Sequence, residues 1–323
     1  MNRRFKLSFA IIGLLSLSLT ALSAFRQEVK LAYQWPKGET LKYRVTQEVN
    51  TSMSGLPGMG DVSFDQTTTQ VLRIVAETIA PDGTATLRQV VDSVRMEMAT
   101  PMGKMGFDST NPTELQDPTG VMKDIFSAMI GEPFTVVAAP TGRIEKVEGM
   151  SAVMEKVLKK MPQNPGSAPI MDALKNSLSD DAMRGLLGQG FAQFPAKPVR
   201  IGETWTGEVK TTNPSIGVLV TSTIFTLKSV DGSGDAQVAK VDMKVAMKQQ
   251  ESGSAQNALG MTLKMGDATG TGELTFNVPK GRIVRSSLLL DMPYAMSGTA
   301  PDGTAMNLTS KSKSTTTIAE MEK

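Results

Sequence analysis

The chain has 323 residues, 34 basic and 32 acidic side chains, a net charge of +2, and neither cysteine nor histidine. Lack of cysteine rules out disulfides, thiolate metal sites and the acylated anchor of a lipoprotein, and lack of histidine rules out Ser-His-Asp and Cys-His catalysis and ordinary zinc sites. The near-balanced charge contains no basic block to attract nucleic acid, and two Trp, three Tyr and eleven Phe are few for a sugar cleft or a base-stacking platform.

In chain order, Arg3, Arg4 and Lys6 precede the apolar run Leu7–Leu19 and the small residues Ala21, Ser23 and Ala24. This pattern predicts a signal peptide over residues 1–24, cleaved after Ser23 or Ala24. The run is shorter than the roughly 20 residues needed to span a bilayer. The expectation is a periplasmic or secreted protein whose mature chain has no transmembrane span.

Thr69–Ile79 and Ala85–Met98 alternate with strand period around the turn Ala80-Pro81-Asp82-Gly83-Thr84. Val90, Val94, Met96 and Met98 fall on one face, with Arg95 and Glu97 on the other. Asp117-Pro118 then offers an N-cap and a first-turn proline to a helix striped by Val121, Met122, Ile125, Phe126 and Met129. A short strand is expected at Thr135–Val137. Val153, Met154, Val157, Leu158 and Met161 return to helical spacing. Pro162–Pro169 interrupts it, and further helix is predicted over Ile170–Leu178 and Ala182–Phe191.

The second half alternates more cleanly. Thr221–Val230 leads through Asp231-Gly232-Ser233-Gly234-Asp235 into Gln237–Lys248. There Val241, Met243, Val245 and Met247 face one way, and Lys240, Asp242, Lys244 and Lys248 the other, a pattern in which a one-residue slip would expose every apolar group. Met306–Ile318 reads as a last, polar strand whose Lys311 and Lys313 suit a sheet edge.

Four short matches recur in the same order in both halves. Gly38-Glu39-Thr40 pairs with Gly202-Glu203-Thr204, and Asp82-Gly83 with Asp231-Gly232. Lys104-Met105-Gly106 pairs with Lys264-Met265-Gly266, and Pro140-Thr141-Gly142-Arg143-Ile144 with Pro279-Lys280-Gly281-Arg282-Ile283. They predict an internal duplication: a first β-rich repeat over 25–147 carrying a helical insertion at 113–131, a helical segment over 148–199, and a second repeat over 200–323. The turn Ala80–Ala85 also recurs as Ala300–Ala305.

Chemical motifs are weak. Ser310-Lys311-Ser312-Lys313 has the Ser-x-x-Lys spacing, but in a strand its serine and lysine face oppositely. Asp231–Asp235 with Asp242 has half the ligands of a calcium loop but lacks the glycine and glutamate such a loop needs. No residue emerges as catalytic, cofactor-binding or metal-binding. The 22 methionines are the compositional signal that remains. Thioethers can bind Cu(I) or simply pack a core, and being flexible and polarisable they also suit a surface that accepts apolar partners of varied shape. On that third reading Met96, Met98, Met243 and Met247 are the candidate ligand-lining residues.

The run Lys37-Gly38-Glu39-Thr40-Leu41-Lys42-Tyr43-Arg44-Val45, with Gly202-Glu203-Thr204-Trp205 mid-chain, resembles an uncharacterised family of exported bacterial proteins of unknown function. The resemblance implies a strand-rich, exported protein and assigns no activity. The strands-plus-helices layout is also similar to the half-barrel carriers of bacterial lipoproteins. The expected fold is α+β and predominantly antiparallel β: two related curved sheets, half-barrel or sandwich-like, with a central helical insertion. The expected function is a non-enzymatic envelope protein that binds or carries an apolar ligand or lipid in a Met-lined groove. The alternatives are an envelope scaffold with a protein partner and a carboxylate-based hydrolase.

Overall fold

A computed structural model describes residues 28–55, 60–101, 103–118, 120–160, 171, 175, 179–213, 216–252, 262–299 and 305–322. The expected signal peptide, the Pro162–Pro169 break, most of the Ile170–Leu178 helix and residues 300–304 of the repeated turn lie outside them.

The first half contains β1 (Glu28–Val29), β2 (Thr40–Ser54), β3 (Val62–Ile79), β4 (Ala85–Thr100), β5 (Gly103–Asp108), β6 (Pro133–Ala138) and β7 (Ile144–Glu148). The second contains β8 (Val199–Arg200), β9 (Thr204–Asn213), β10 (Gly217–Asp231), β11 (Val238–Ser252), β12 (Thr262–Met265), β13 (Ala268–Asn277), β14 (Arg282–Thr299) and β15 (Ala305–Glu320). Three α-helices stand among the described residues: α1 (Val121–Met129), α2 (Met150–Lys160) and α3 (Asp180–Gly190).

The fold is predominantly antiparallel β, but apart from a two-stranded ribbon of β1 and β8 the strands make one large sheet where two related sheets were expected. Thirteen strands join in the order β7-β6-β4-β3-β2-β15-β14-β13-β11-β10-β9, with β5 added on β4 and β12 on β14. The joint is β15, which pairs antiparallel with β14 on one side and β2 on the other. The C-terminal strand is therefore central, not an edge. Its lysines point outward, while Ser310, Ser312 and Ser314 are buried on the inner face. Alternating Ser and Lys allows this because successive side chains of a strand face opposite ways.

The two halves use the same strand order, β2-β3-β4-β6-β7 and β9-β10-β11-β13-β14. Several local details coincide. The amide of Gly38 donates to the carbonyl of Ala76 (3.1 Å) and that of Gly202 to Leu227 (2.7 Å). Each acceptor lies just before a register shift, between Ala76 and Thr78 on β3 and between Leu227 and Ser229 on β10. Gly142 and Gly281 both adopt left-handed backbone, at φ 83° and 59°, in the turns leading into β7 and β14.

Those two turns hold the base of the molecule. The segment before β2 runs across them, with the Tyr33 amide donating to Pro140 (2.7 Å) and the Gln34 amide to Gly281 (2.9 Å). A Cβ on Gly142 would sit 2.2 Å from the Ala192 carbonyl oxygen, and one on Gly281 2.5 Å from the Gln34 amide nitrogen. Only glycine accepts both this contact and the positive φ. Tyr33 stacks on Trp35 (5.6 Å), meets Phe276 edge-on (5.5 Å), and is joined by Phe191 and Phe194. The few aromatics are thus concentrated in one floor beneath the sheet. Leu87, Val136, Leu227 and Leu274 pack with them, none more than 1% exposed.

The ends of the sheet, β7 and β9, do not pair with each other. Helix α3 packs against both. Ser179 caps it by accepting from the Ala182 amide (3.3 Å). Its small residues face β9: Gly185 lies against Thr211, Gly188 against Val209, and Gln189 Nε2 donates to Thr211 Oγ1 (3.0 Å). Helices α1 and α2 pack together through Ala128 and Val157. The predicted start of α1 shifts by one turn. The helix begins after Gly120, and the Asp117 carboxylate reaches forward to accept from the Lys123 amide (2.9 Å).

Candidate functional site

Above the aromatic floor the inner face of the sheet and α3 enclose a cleft of 540 Å3, bordered by residues from β2, β3, β4, β10, β11, β14 and β15. Side chains from strands so far apart in the sheet order meet around one space because the sheet curls on itself. The volume falls within the roughly 300–1,000 Å3 of small-ligand sites.

The cleft wall is mixed in a regular way. Leu288, Leu290 and Met292 of β14, Val245 and Met247 of β11, and Leu187 of α3 form an apolar side. Leu72, Leu288, Leu290 and Ile318 point into the molecule yet are only half-buried. Inward apolar residues nearer the floor are closed off completely. Facing the apolar side, β2, β3 and β15 contribute Gln47, Thr68, Gln70, Ser314 and Thr316. Gln47 Nε2 donates to Ser314 Oγ (3.3 Å), and Thr51 and Ser312 share a hydroxyl hydrogen bond (2.7 Å).

Among the described residues that border the cleft, Glu132 is the sole ionised side chain, and Lys156 pairs with it. Four uncharged polar groups of the wall have no hydrogen-bond partner: Tyr33 Oη and Trp35 Nε1 at the base, and higher up Gln89 Nε2, on a side chain 1% exposed, and Thr221 Oγ1, on one 7% exposed. An amide or hydroxyl left in this state costs about 1–3 kcal/mol. Tyr33 and Tyr43 border the cleft base, and burial pushes both phenols well above their ordinary range, with nearby Glu320 adding to the effect at Tyr43. They stay protonated at any physiological pH.

The four candidate methionines divide between two places. Met243 and Met247 border the cleft, 8% and 5% exposed. Met96 and Met98 lie on β4 opposite Phe107 and Met105 of β5, away from it. The separation is one of position along β4, not of face: a register shift opposite Val71 and Leu72, where β4 passes from Val91 to Ser93, leaves Met96 on the inner face beside Thr68, but at the end of the strand that pairs with β5. Before the shift Leu87, Gln89 and Val91 face inward; beyond it the phase changes, and Val94 is the buried residue. Met129, Met150, Met183 and Met292, which sequence periodicity did not single out as ligand-lining, also border the cleft.

A wider hollow of 1310 Å3 shares Trp35 with the cleft and is bordered by Glu39, Lys280, Arg282 and Glu320. Its charges satisfy one another: Arg282 meets Glu320 at 3.0 Å and Glu39 at 3.6 Å. No group of three acidic residues able to hold a metal occurs among the described residues, nor is any described helix long and apolar enough to cross a membrane.

Residues 82–282, more than half of the chain, match the family of unknown function DUF6263. The chain belongs to that family. No curated protein matches this DUF6263 chain. Among solved structures it is similar to lipovitellin, in a structure concerned with lipid–protein interactions, at 10% identity and a TM-score of 0.43, covering 90% of this chain and 26% of that one. It therefore spans about a quarter of the lipovitellin chain. An outer membrane channel from Pseudomonas putida F1 follows at 7% identity and a TM-score of 0.28, covering 90% and 97%. An exported protein with a YmcC-like fold from Bacteroides fragilis gives 8% identity and a TM-score of 0.24, covering 86% and 96%. All three TM-scores are too low to carry a function to this DUF6263 chain.

Proposed function

We propose that the protein is an exported, non-enzymatic carrier of the cell envelope that holds one apolar ligand in the cleft between the curled sheet and α3. The observation that carries this reading is the incomplete burial of Leu72, Leu288, Leu290 and Ile318 on the inward face, where they border the cleft. An ordinary core would close over such residues, since each buried CH2 contributes about 0.8 kcal/mol. Here that gain is open to a ligand. The methionines around the cleft suit a wall that must follow ligands of varied shape.

The paired glycine turns, matched hydrogen bonds and shared strand order support reading the halves as two copies of one unit, joined as a half-barrel. In that arrangement β15 fills the junction between β2 and β14, and α3 covers the corresponding junction between β7 and β9. The signal-peptide pattern of residues 1–24 supports export to the periplasm or beyond. A scaffold calls for a filled interior, and a carboxylate hydrolase needs two acids converging on its substrate, whereas one borders the cleft.

Titration of the folded protein with Nile red, a neutral solvatochromic dye, tests the carrier. Saturable binding at one site, weakened at least about tenfold by Leu290→Trp as a cleft-filling change, is the expected result. A native protein that leaves the dye's emission unchanged would overturn it.

A further inference from the structure

The chemistry of the wall narrows the ligand beyond "apolar", an inference that rests on the carrier reading. We infer that the cleft takes a neutral acyl lipid with an ester or amide carbonyl, and discriminates against the corresponding free fatty-acid anion.

Two independent observations point there. The first is charge. Among its described residues no lysine or arginine borders the cleft, and its one carboxylate, Glu132, already takes up the nearby Lys156 as its ion-pair partner. A carboxylate carried into this space would lose its hydration and meet no cation, a heavy cost for an unpaired ion in an apolar site. The second is the supply of uncharged hydrogen-bonding groups. Gln89 Nε2 is a donor and Thr221 Oγ1 a donor or acceptor, both in the cleft wall and neither partnered. They lie on β4 and β10, two strands in from β7 and one strand in from β9, the two edges of the gap that α3 covers. The register places Gln89 beside Ile74 and Phe134, and Thr221 beside Met247 and Val209, so neither has a polar cross-strand neighbour to bond. A carbonyl oxygen accepts from such a donor without bringing charge, whereas a hydrocarbon leaves it unpaired.

Access to these groups runs past flexible side chains. Met247 pairs with Thr221 across the strands, and Met129, Met150 and Met183 border the cleft with Gln89. Displacement of unbranched thioether side chains costs less than movement of β-branched ones. The open polar strip of Gln47, Thr68, Gln70 and Thr316 offers further neutral partners to a glyceryl or amide head group. The ligand's two parts thus match the wall: chain against β11, β14 and α3, carbonyl and head group against Gln89 of β4, Thr221 of β10 and the polar strip of β2, β3 and β15.

The test is competition against Nile red on the purified, delipidated full chain at about pH 8, where a monomeric fatty acid is ionised. The competitors are monododecanoyl glycerol, methyl dodecanoate and sodium dodecanoate below its micellar concentration. Both esters are expected to displace the dye at concentrations about tenfold or more below that needed for dodecanoate, the worth of one hydrogen bond plus the avoided ion burial. Gln89→Leu should narrow that preference by about threefold or more. Dodecanoate equal to or better than the esters would overturn the inference while leaving the carrier standing. Equal preference in Gln89→Leu and wild type, with the variant's melting temperature unchanged, would remove the assigned role of Gln89. Failure of Nile red to bind at all would overturn the carrier and this inference together. The ester-to-anion ratio of the wild type needs no variant, so it decides the question even if Gln89→Leu does not fold.

Discussion

Leu274 and Leu288 sit on adjacent strands of the same sheet, β13 and β14, and both turn toward its inner face. Leu274 is 1% exposed, packed among Phe225, Phe276 and Val241 where the floor meets the cleft, whereas Leu288 is half-buried along the cleft wall. One sheet therefore builds two interiors. At the base, the Leu31–Trp35 segment and the aromatic rings fill the curl. Higher up, no described segment of comparable size enters, and leucines, methionines and neutral polar residues line a space. The alternating pattern places a side chain inside; whether it is covered depends on a second segment arriving from elsewhere in the chain.

The largest effect expected from this contrast is at Phe276, whose ring contacts Tyr33 and Phe194 and is fully buried. Phe276→Ala should lower unfolding stability by about 3–5 kcal/mol in urea denaturation. Next is Gly281→Ala. The added Cβ meets Gln34 at a positive φ, so about 1–3 kcal/mol should be lost. Because the contact holds the plug in place, hydrogen exchange should accelerate at Tyr33 and Gln34 before it does in β14. Uniform acceleration would show that floor and cleft are not separate units.

A smaller effect separates the cleft from the far end of β4. There burial pushes the Asp108 carboxyl up, but hydrogen bonds from the Thr110 hydroxyl and amide, Arg95 and the Asn111 amide outweigh it and hold its pKa at about 2. A carboxyl with a depressed folded-state pKa stabilises above its unfolded value near about 4 and loses that contribution as pH falls toward about 2. Protection of β5 amides should decline across this window while the floor keeps its own, and Asp108→Asn should abolish the pH dependence. The smallest effect belongs to Leu288→Ala, expected to cost under about 1.5 kcal/mol, since the side chain is only partly buried and the cleft already adjoins it. A loss as large as that at Phe276 would mean the cleft wall is ordinary core.

Much of the sheet was legible in the sequence. Val241, Met243, Val245 and Met247 alternate without interruption, and all four are buried. The turns at Asp82-Gly83 and Asp231-Gly232 carry their own chemistry, and the strands end beside them. What was not legible follows from pairing over long separations. The single sheet depends on β15 lying between β14 and β2, and Met306–Ile318 reads as an edge strand because its outward lysines suit an edge. On β4 one bulge passes the inward phase from Gln89 and Val91 to Val94 and Met96, so the cleft-facing residues of β4 are the odd-numbered ones before it, while Met96 and Met98 lie farther along, where β5 pairs with the strand. Within the cleft, Met243 and Met247 could be read from periodicity. Gln89 had a signal too, since a glutamine between Leu87 and Val91 at period two is a polar group on an apolar face. The floor had none: Tyr33 and Trp35 precede the first long strand, and the turns that receive them lie more than a hundred residues away.

Trp35 borders the cleft and Trp205 does not, and these are the two tryptophans of the chain. In a Trp205→Phe variant, then, the remaining fluorescence reports on the cleft base. Titration of that variant with a dibrominated monoacylglycerol, whose bromines quench indoles only at short range, should quench Trp35 and saturate at one ligand per chain, and Leu290→Trp should block binding in parallel dye titrations. Trp35 emission that stays constant through the titration would contradict a ligand held between the sheet and α3.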